Sequence, residues 1–144
     1  HITDTDMVTK LYQASKAGVK IDIVIRGNCS LVPGLKGLSE NIRCVGIIDR
    51  YLEHSRILIF ANGGKPRFFI GSADWMPRNL LNRIEVLTPV YDEEMQADLM
   101  RTISYGMRDS TNGRLIDGKG TDDFVNGEPF RSQEELYKEL KSKY

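Results

Sequence analysis

The sequence predicts an α/β fold, a mixed β-sheet with flanking helices, and three stretches carry that prediction. Residues 5–17 place Met7, Val8, Leu11 and Tyr12 on one helical face, with Asp4 and Asp6 at the start and Gly18 just past the end. Residues 19–25 then alternate, setting Val19, Ile21, Ile23 and Ile25 against Lys20 and Asp22, with Val24 the exception. Helix, glycine turn and strand in succession are the unit of an α/β sheet, and ligands in such sheets collect at strand carboxyl ends, where Arg26 falls. The third stretch is a pair of apolar runs, residues 57–60 and 68–70, rich in β-branched and aromatic side chains and separated by a linker containing Asn62-Gly63-Gly64. That pattern reads as a β-hairpin.

The remaining elements follow in order. Residues 28–41 hold Pro33, Gly34, Gly37 and Ser39 without a period and predict a loop. Residues 42–48 predict a strand, and residues 75–83 a turn-rich passage in which Pro77 disfavours helix at Met76. Residues 84–90 are strand-like, with Pro89 near the end. The clearest helix is 92–108, opened by Asp92, Glu93 and Glu94 and closed by Arg101 and Arg108, with Met95, Leu99, Ile103 and Met107 recurring every fourth position. Methionines in such a stripe are expected to fill core rather than to hold a cofactor. Residues 111–127 are polar and Gly/Asp-rich, with Leu115 and Ile116 marking a short strand. Ser132-Gln133-Glu134-Glu135 has the form of a capping box, and Leu136, Tyr137, Leu140 and Tyr144 supply the apolar side of the last helix.

With 40% hydrophobic and 28% charged residues, the 144-residue chain has the composition of a globular domain that buries a core, not of a disordered segment. It is expected to form one domain over 1–144, with 111–144 as a C-terminal extension ending in a helix. The chain begins at His1 and leads straight into a helix pattern, so it is expected to be part of a longer protein. Cys29 and Cys44 lack metal-ligand spacing and are expected to be reduced thiols of a cytosolic domain. No stretch approaches the length of a membrane span.

The formal net charge is zero but unevenly spread, because residues 21–89 hold nine Lys and Arg against six Asp and Glu. That excess is too small for a nucleic-acid footprint, so nucleic acid is not expected as a partner. Seven of those nine cations are Arg, whose rigid fork matches phosphate oxygens, so a small polyanion fits.

Strand period gathers the candidate chemistry at the hairpin. His54 and Arg56 share a face, as do Ser72 and Asp74, and folding about Gly63 and Gly64 sets His54 near Ala73 or Asp74 and Arg56 near Gly71 or Ser72. His54 is the only internal histidine, and an imidazole with an ordinary pKa of roughly 6.5 can donate or accept a proton at a phosphoryl oxygen. A carboxylate beside a phosphate needs a partner, either Arg, His or a bridging metal ion. Asn62-Gly63-Gly64 itself lacks the Lys-Ser/Thr and strand-to-helix context of a phosphate loop.

The string Arg50-Tyr51-Leu52-Glu53-His54-Ser55-Arg56, with Val24-Ile25-Arg26-Gly27 and Leu38-Ser39-Glu40-Asn41-Ile42-Arg43 before it and Gly71-Ser72-Ala73-Asp74-Trp75-Met76 after it, closely resembles the last domain of bacterial type 1 polyphosphate kinases. The likeness runs from the first helix to about Arg108 and weakens beyond Thr111. The C-terminal domains of that family resemble phospholipase D domains, marked by His-x-Lys and, further on, Gly-Ser-x-Asn. The corresponding residues here are His54-Ser55-Arg56 and Gly71-Ser72-Ala73-Asp74, so Arg replaces Lys and Asp replaces Asn.

The resemblance implies a phospholipase D-like fold and a kinase, an ATP:polyphosphate phosphotransferase. Its reaction is reversible transfer of the terminal phosphate of ATP to polyphosphate through a phosphohistidine in the preceding domain. It further implies His54 as proton donor and phosphate contact, Arg26 as a ligand of nucleotide phosphates, and Arg83, Ser72 and Arg56 as further phosphate contacts. Mg²⁺ is implied with the nucleotide, its ligands mainly outside this chain. The implied partners are ATP or ADP, polyphosphate, the preceding domains and a homo-oligomeric assembly, in the cytoplasm or at the membrane periphery. By itself the 144-residue chain is then expected to be inactive. The rival expectations are a phospholipase D-like phosphodiesterase acting as a dimer and a non-catalytic polyphosphate-binding or oligomerisation module.

Overall fold

A computed structural model of the chain describes residues 1–143, so Tyr144, expected on the apolar side of the last helix, lies outside the described residues. Helix α1 (Thr5–Lys16) opens on Asp4, whose carboxylate accepts from the Met7 amide at 2.9 Å, and Gly18 follows its end with φ +87°. Strands β1 (Ile21–Ile25) and β2 (Ile42–Ile47) pair in parallel, and β6 (Gly113–Ile116) pairs antiparallel on the far side of β2, giving a mixed sheet in the order β1-β2-β6.

Both faces of this sheet are covered. Val24, Val45 and Ile47 face Ile103 and Met107 of α3 (Glu93–Arg108), while Ile23, Ile25 and Cys44 face Val8 and Leu11 of α1. Val24 breaks the alternation of β1 because the second face is also core. Gly106 lets α3 approach β1 closely, since a Cβ there would stand 2.9 Å from Val24 Cγ2. The methionine stripe of α3 is buried only towards its end, with Met107 at 5% exposure and Met95 at 62%. Both cysteines are free thiols.

The hairpin forms a second, antiparallel sheet from β3 (Ile57–Phe60), β4 (Arg67–Gly71) and β5 (Leu87–Val90), in that order. Its turn is a single 3₁₀ turn, Asn62–Gly64, in which Gly63 takes φ +61°. The register pairs Ile57 with Ile70, and the ladder continues one step further where Gly71 N–H donates to the Arg56 carbonyl at 2.9 Å. Pro89 is accommodated because β5 is an edge strand. The passage after β4 differs from the turn-rich expectation: α2 (Pro77–Asn82) is helical, with Pro77 in the first turn and Met76 extended before it. Proline blocks helix only before itself and suits the first helical position, so Met76 alone stays out.

Residues 1–4 stitch the two sheets together. Ile2 bridges both Cys29, after β1, and Trp75, after β4, and the Trp75 carbonyl accepts from Thr3 N–H at 2.8 Å and Asp4 N–H at 3.0 Å.

The last helix, α4 (Ser132–Lys143), starts differently from a capping box. The Ser132 amide and hydroxyl both donate to Oδ2 of Asp109, at 2.8 and 2.6 Å, and Glu135 instead pairs with Lys138 at 2.6 Å. Asp109 has no exposed surface, and its Oδ1 accepts from the amides of Thr111, Asn112 and Gly113. A Cβ at Gly113 would lie 2.1 Å from the Asp109 carbonyl oxygen, so glycine alone closes this turn. One buried carboxylate thus joins the end of α3, the start of β6 and the start of α4. On α4, Leu136 and Leu140 are half-buried, but Tyr137 is 62% exposed, against the expectation for it, and lies beneath the Lys141 ammonium.

Burial pushes the Asp109 carboxyl up, but the five donors outweigh it and hold it below the ordinary carboxylate value. Its stabilisation is therefore complete above the unfolded-state value and is lost as pH falls through the lowered native one. Asp109→Asn, which turns one acceptor into a donor facing donors, is expected to cost about 3 kcal/mol at neutral pH. Urea unfolding curves recorded against pH would show this cost shrinking as the medium becomes strongly acidic.

Candidate functional site

The two sheets meet at a cleft of about 720 Å³. Arg26, directly after β1, reaches it from the first sheet. His54 and Arg56, before β3, and Ser72 and Asp74, after β4, reach it from the second, and Arg83, just past α2, lies on its wall. The structure therefore brings all six of these residues to one cavity. His54 is opposite Ala73 by extension of the register, within the range that strand period predicts.

Asp74 is the central anion. Its Oδ2 accepts from Nη2 of Arg26 and from Nη2 of Arg56, both at 3.2 Å, and its Oδ1 contacts the His1 amino group at 3.2 Å. Burial pushes this carboxyl up, but the hydrogen bond from Arg56 and its charge pull it below its ordinary value. The partner that such a carboxylate required is thus arginine, from two elements.

Arg26 also donates from Nη1 to the Glu53 carbonyl at 2.9 Å, which ties the end of β1 to the residue before His54. Arg56 Nη1 donates to the His54 carbonyl at 2.9 Å and lies 2.9 Å from Nδ1 and 3.2 Å from Nε2 of the same imidazole. A guanidinium can only donate, so the ring nitrogen it bonds must carry a lone pair. Arg56 Nε is buried without a partner, so this side chain is one acceptor short.

Ser72 faces a different neighbour from the one strand period suggests. Its hydroxyl donates to Glu85 Oε2 and accepts from Val86 N–H at 3.0 Å, fastening the end of β4 to the segment before β5. The other oxygen of Glu85 accepts from Asn79 Nδ2 at 2.8 Å, and these two bonds, Ser72 first, hold the Glu85 carboxyl below its ordinary value. Glu85, Asn79 and Arg78 line the cleft and were missed by sequence reasoning. The signal for Glu85 was available: in the extended run Arg83-Ile84-Glu85-Val86, charges alternate with apolar residues, so Arg83 and Glu85 share a face.

The lining holds four arginines, Arg26, Arg56, Arg78 and Arg83, against two carboxylates, both already hydrogen-bonded. Such a surface is built to accept an anion with several oxygens. It does not fit a metal ion by itself: among the described residues no group of three or more His, Cys, Asp or Glu could hold one, and Asp74 is engaged by cations. Among the described residues no helix is long and apolar enough to cross a membrane.

Fold and cleft together define an α/β domain with an arginine-rich cleft. The family model described as polyphosphate kinase C-terminal domain 2 matches residues 1–134, and the chain belongs to that family. It is 47% identical to a polyphosphate kinase of Vibrio vulnificus (strain YJ016) and 41% identical to one of Escherichia coli (strain K12), in each case over 99% of this chain and 21% of the relative. The crystal structure of polyphosphate kinase from Porphyromonas gingivalis superposes with a TM-score of 0.93 at 43% identity, covering 99% of this chain and 22% of that one. The chain thus spans about a fifth of the length of the curated relatives it matches, as their C-terminal part.

Removing Asp74 would leave two largely buried guanidiniums facing each other without their shared anion. Asp74→Ala is expected to cost about 3 kcal/mol of stability, measured by the urea midpoint at neutral pH, because a buried charge left unpaired is more costly than its ion pair is stabilising. A loss below about 0.5 kcal/mol, typical of surface substitutions, would show that the node is not structural.

Proposed function

We propose that this chain is the C-terminal catalytic half-site of a polyphosphate kinase, which transfers the terminal phosphate of ATP reversibly to polyphosphate. The observation that carries the reading is the composition of the cleft, four arginines beside the His54 imidazole with both carboxylates already engaged. Phosphoryl transfer passes through a loose transition state whose charge spreads over three equatorial oxygens, and catalysis is mostly positioning and charge stabilisation. Arg26 and Arg56 are held at one carboxylate, so their forks are fixed before substrate arrives. Arg83, with no such anchor, is suited to follow the nucleotide phosphates as they bind, and the Ser72 hydroxyl is a neutral contact in the same lining.

His54 is the proton donor in this scheme. Arg56 can donate only to a ring nitrogen that carries a lone pair, and the other nitrogen of the imidazole is then the one that can donate to a phosphoryl oxygen. The covalent step belongs to a phosphohistidine in the preceding domain, and the resemblance of residues 54–56 and 71–74 to phospholipase D motifs supports His54 as its counterpart across a shared site. Mg²⁺ would arrive with the nucleotide rather than on ligands of this cleft. The full-length chain is proposed to assemble as a homo-oligomer. The phosphodiesterase reading is weakened at Asp74, where the phospholipase D pattern has a neutral Asn and this chain holds a carboxylate locked between arginines.

In the full-length chain, His54→Ala is expected to lower kcat by about 10² to 10⁴ with little change in KM for ATP. Arg83→Ala should instead raise KM for ATP, since it removes a contact made in the ground state as well. The 144-residue chain alone should form no polyphosphate from ATP. Near-normal kcat for His54→Ala, in a coupled assay of polyphosphate synthesis, would sink the assignment.

A further inference from the structure

The segment that carries His54 has no regular structure of its own. Between the end of β2 and the start of β3, Ile48, Tyr51 and Leu52 are exposed at 82%, 62% and 71%, so no apolar anchor holds this run. Its position rests on polar contacts instead, and besides those from Arg26 and Arg56 they come from residues at the start of α4, some eighty residues further along the chain.

Two side chains at the start of α4 make them. Arg131 grips the Asp49 carboxylate with two nitrogens, Nε to Oδ2 at 2.9 Å and Nη2 to Oδ1 at 2.6 Å, and the Asp49 side chain is only 2% exposed. Gln133 brackets the backbone of Tyr51, accepting from its N–H at 3.0 Å and donating to its carbonyl at 2.8 Å. The same amide nitrogen donates to Glu53 Oε1 at 2.7 Å. Neither Arg131 nor Gln133 lines the cleft.

The contacts continue to the reacting groups. The Glu53 carbonyl accepts from Arg26, and the next residue is His54, whose carbonyl accepts from Arg56. Gln133 is therefore two linked contacts from Arg26 and one peptide unit from His54. The far end of this relay is rigid, because the start of α4 is pinned by the buried Asp109 and its body by Tyr105, whose hydroxyl donates to Glu139 at 2.5 Å. An amide that pairs with both backbone groups of one residue fixes that residue in orientation as well as place.

We propose that Arg131 and Gln133 are positioning residues for phosphoryl transfer: through the Asp49–Glu53 segment the start of α4 sets where His54 and Arg26 stand in the cleft. The inference rests on the reading of His54 given above. It makes α4, which has no group in the cleft, part of the catalytic apparatus.

The test is a double-mutant cycle in the full-length chain, with kcat and KM for ATP measured for Gln133→Ala, His54→Ala and the pair. Gln133→Ala is expected to lower kcat by about 10- to 100-fold, as small misplacements do, with KM within about twofold and an unchanged melting temperature. In the His54→Ala background the same change should cost nothing further, because its effect acts through His54. Gln133→Glu, close in size but lacking the donor, should lose kcat likewise, and adding Glu53→Gln should recover part of it by reversing the donor and acceptor. The proposal is overturned if Gln133→Ala leaves kcat unchanged, or if its cost is equal in both backgrounds. Should His54→Ala itself leave kcat intact, the reading of His54 fails first and takes the positioning role with it.

Discussion

Asp74 stands at the end of β4 between two guanidiniums that arrive from different sheets, Arg26 from the end of β1 and Arg56 from the start of β3. Both donate to the same oxygen, so the three side chains leave one positive charge in excess in the lining of the cleft. A carboxylate used in this way does two things at once. It brings the arginines close together despite their repulsion, and it orients their remaining donors, which an incoming polyanion would otherwise have to order itself.

Around this node the molecule is organised as a set of long-range ties rather than one continuous core. The first sheet is buried on both faces by α1 and α3, whereas the second sheet is held by the N-terminal segment, by the Asp74 node and by the ladder itself. Polar ties are directional, and packing alone would tolerate sliding. That distinction suits the proposed task of holding phosphoryl oxygens in fixed places. Asp109 and Gln133 extend the same device to the C-terminal residues, so α4 reaches the cleft without lining it.

Much of this was legible in the sequence, for identifiable reasons. Apolar period gave α1, β1, β2 and α3 their places, and the glycine-rich linker set the hairpin register closely enough to bring His54, Arg56 and Asp74 to one surface. Arg26 was found because strand ends gather ligands in α/β sheets. What stayed hidden depends on tertiary placement. The bond from Arg26 to the Glu53 carbonyl joins two loops, and backbone acceptors leave no trace in side-chain pattern. Gln133 is a polar residue at a helix start, where nothing local distinguishes a brace from a solvated side chain. Ser132 was assigned to a capping box because its local spacing fits one, but the buried Asp109 carboxylate is the stronger acceptor and takes both its donors. The helical turn at Pro77 was lost to the opposite error, in which proline was weighed as a breaker of helix and not as a starter.

The claim on which the account turns is that the arginine cleft binds a chain of phosphates, and the most direct measurement is a tripolyphosphate titration of the 144-residue chain followed by ¹H–¹⁵N NMR. The account predicts saturable shifts at the amides of Arg26, His54, Arg56, Gly71 and Ser72, together with the guanidinium signals of Arg26 and Arg56, weakening as salt is raised. Shifts confined to exposed lysines such as Lys138 and Lys141, or none that saturate, would contradict it.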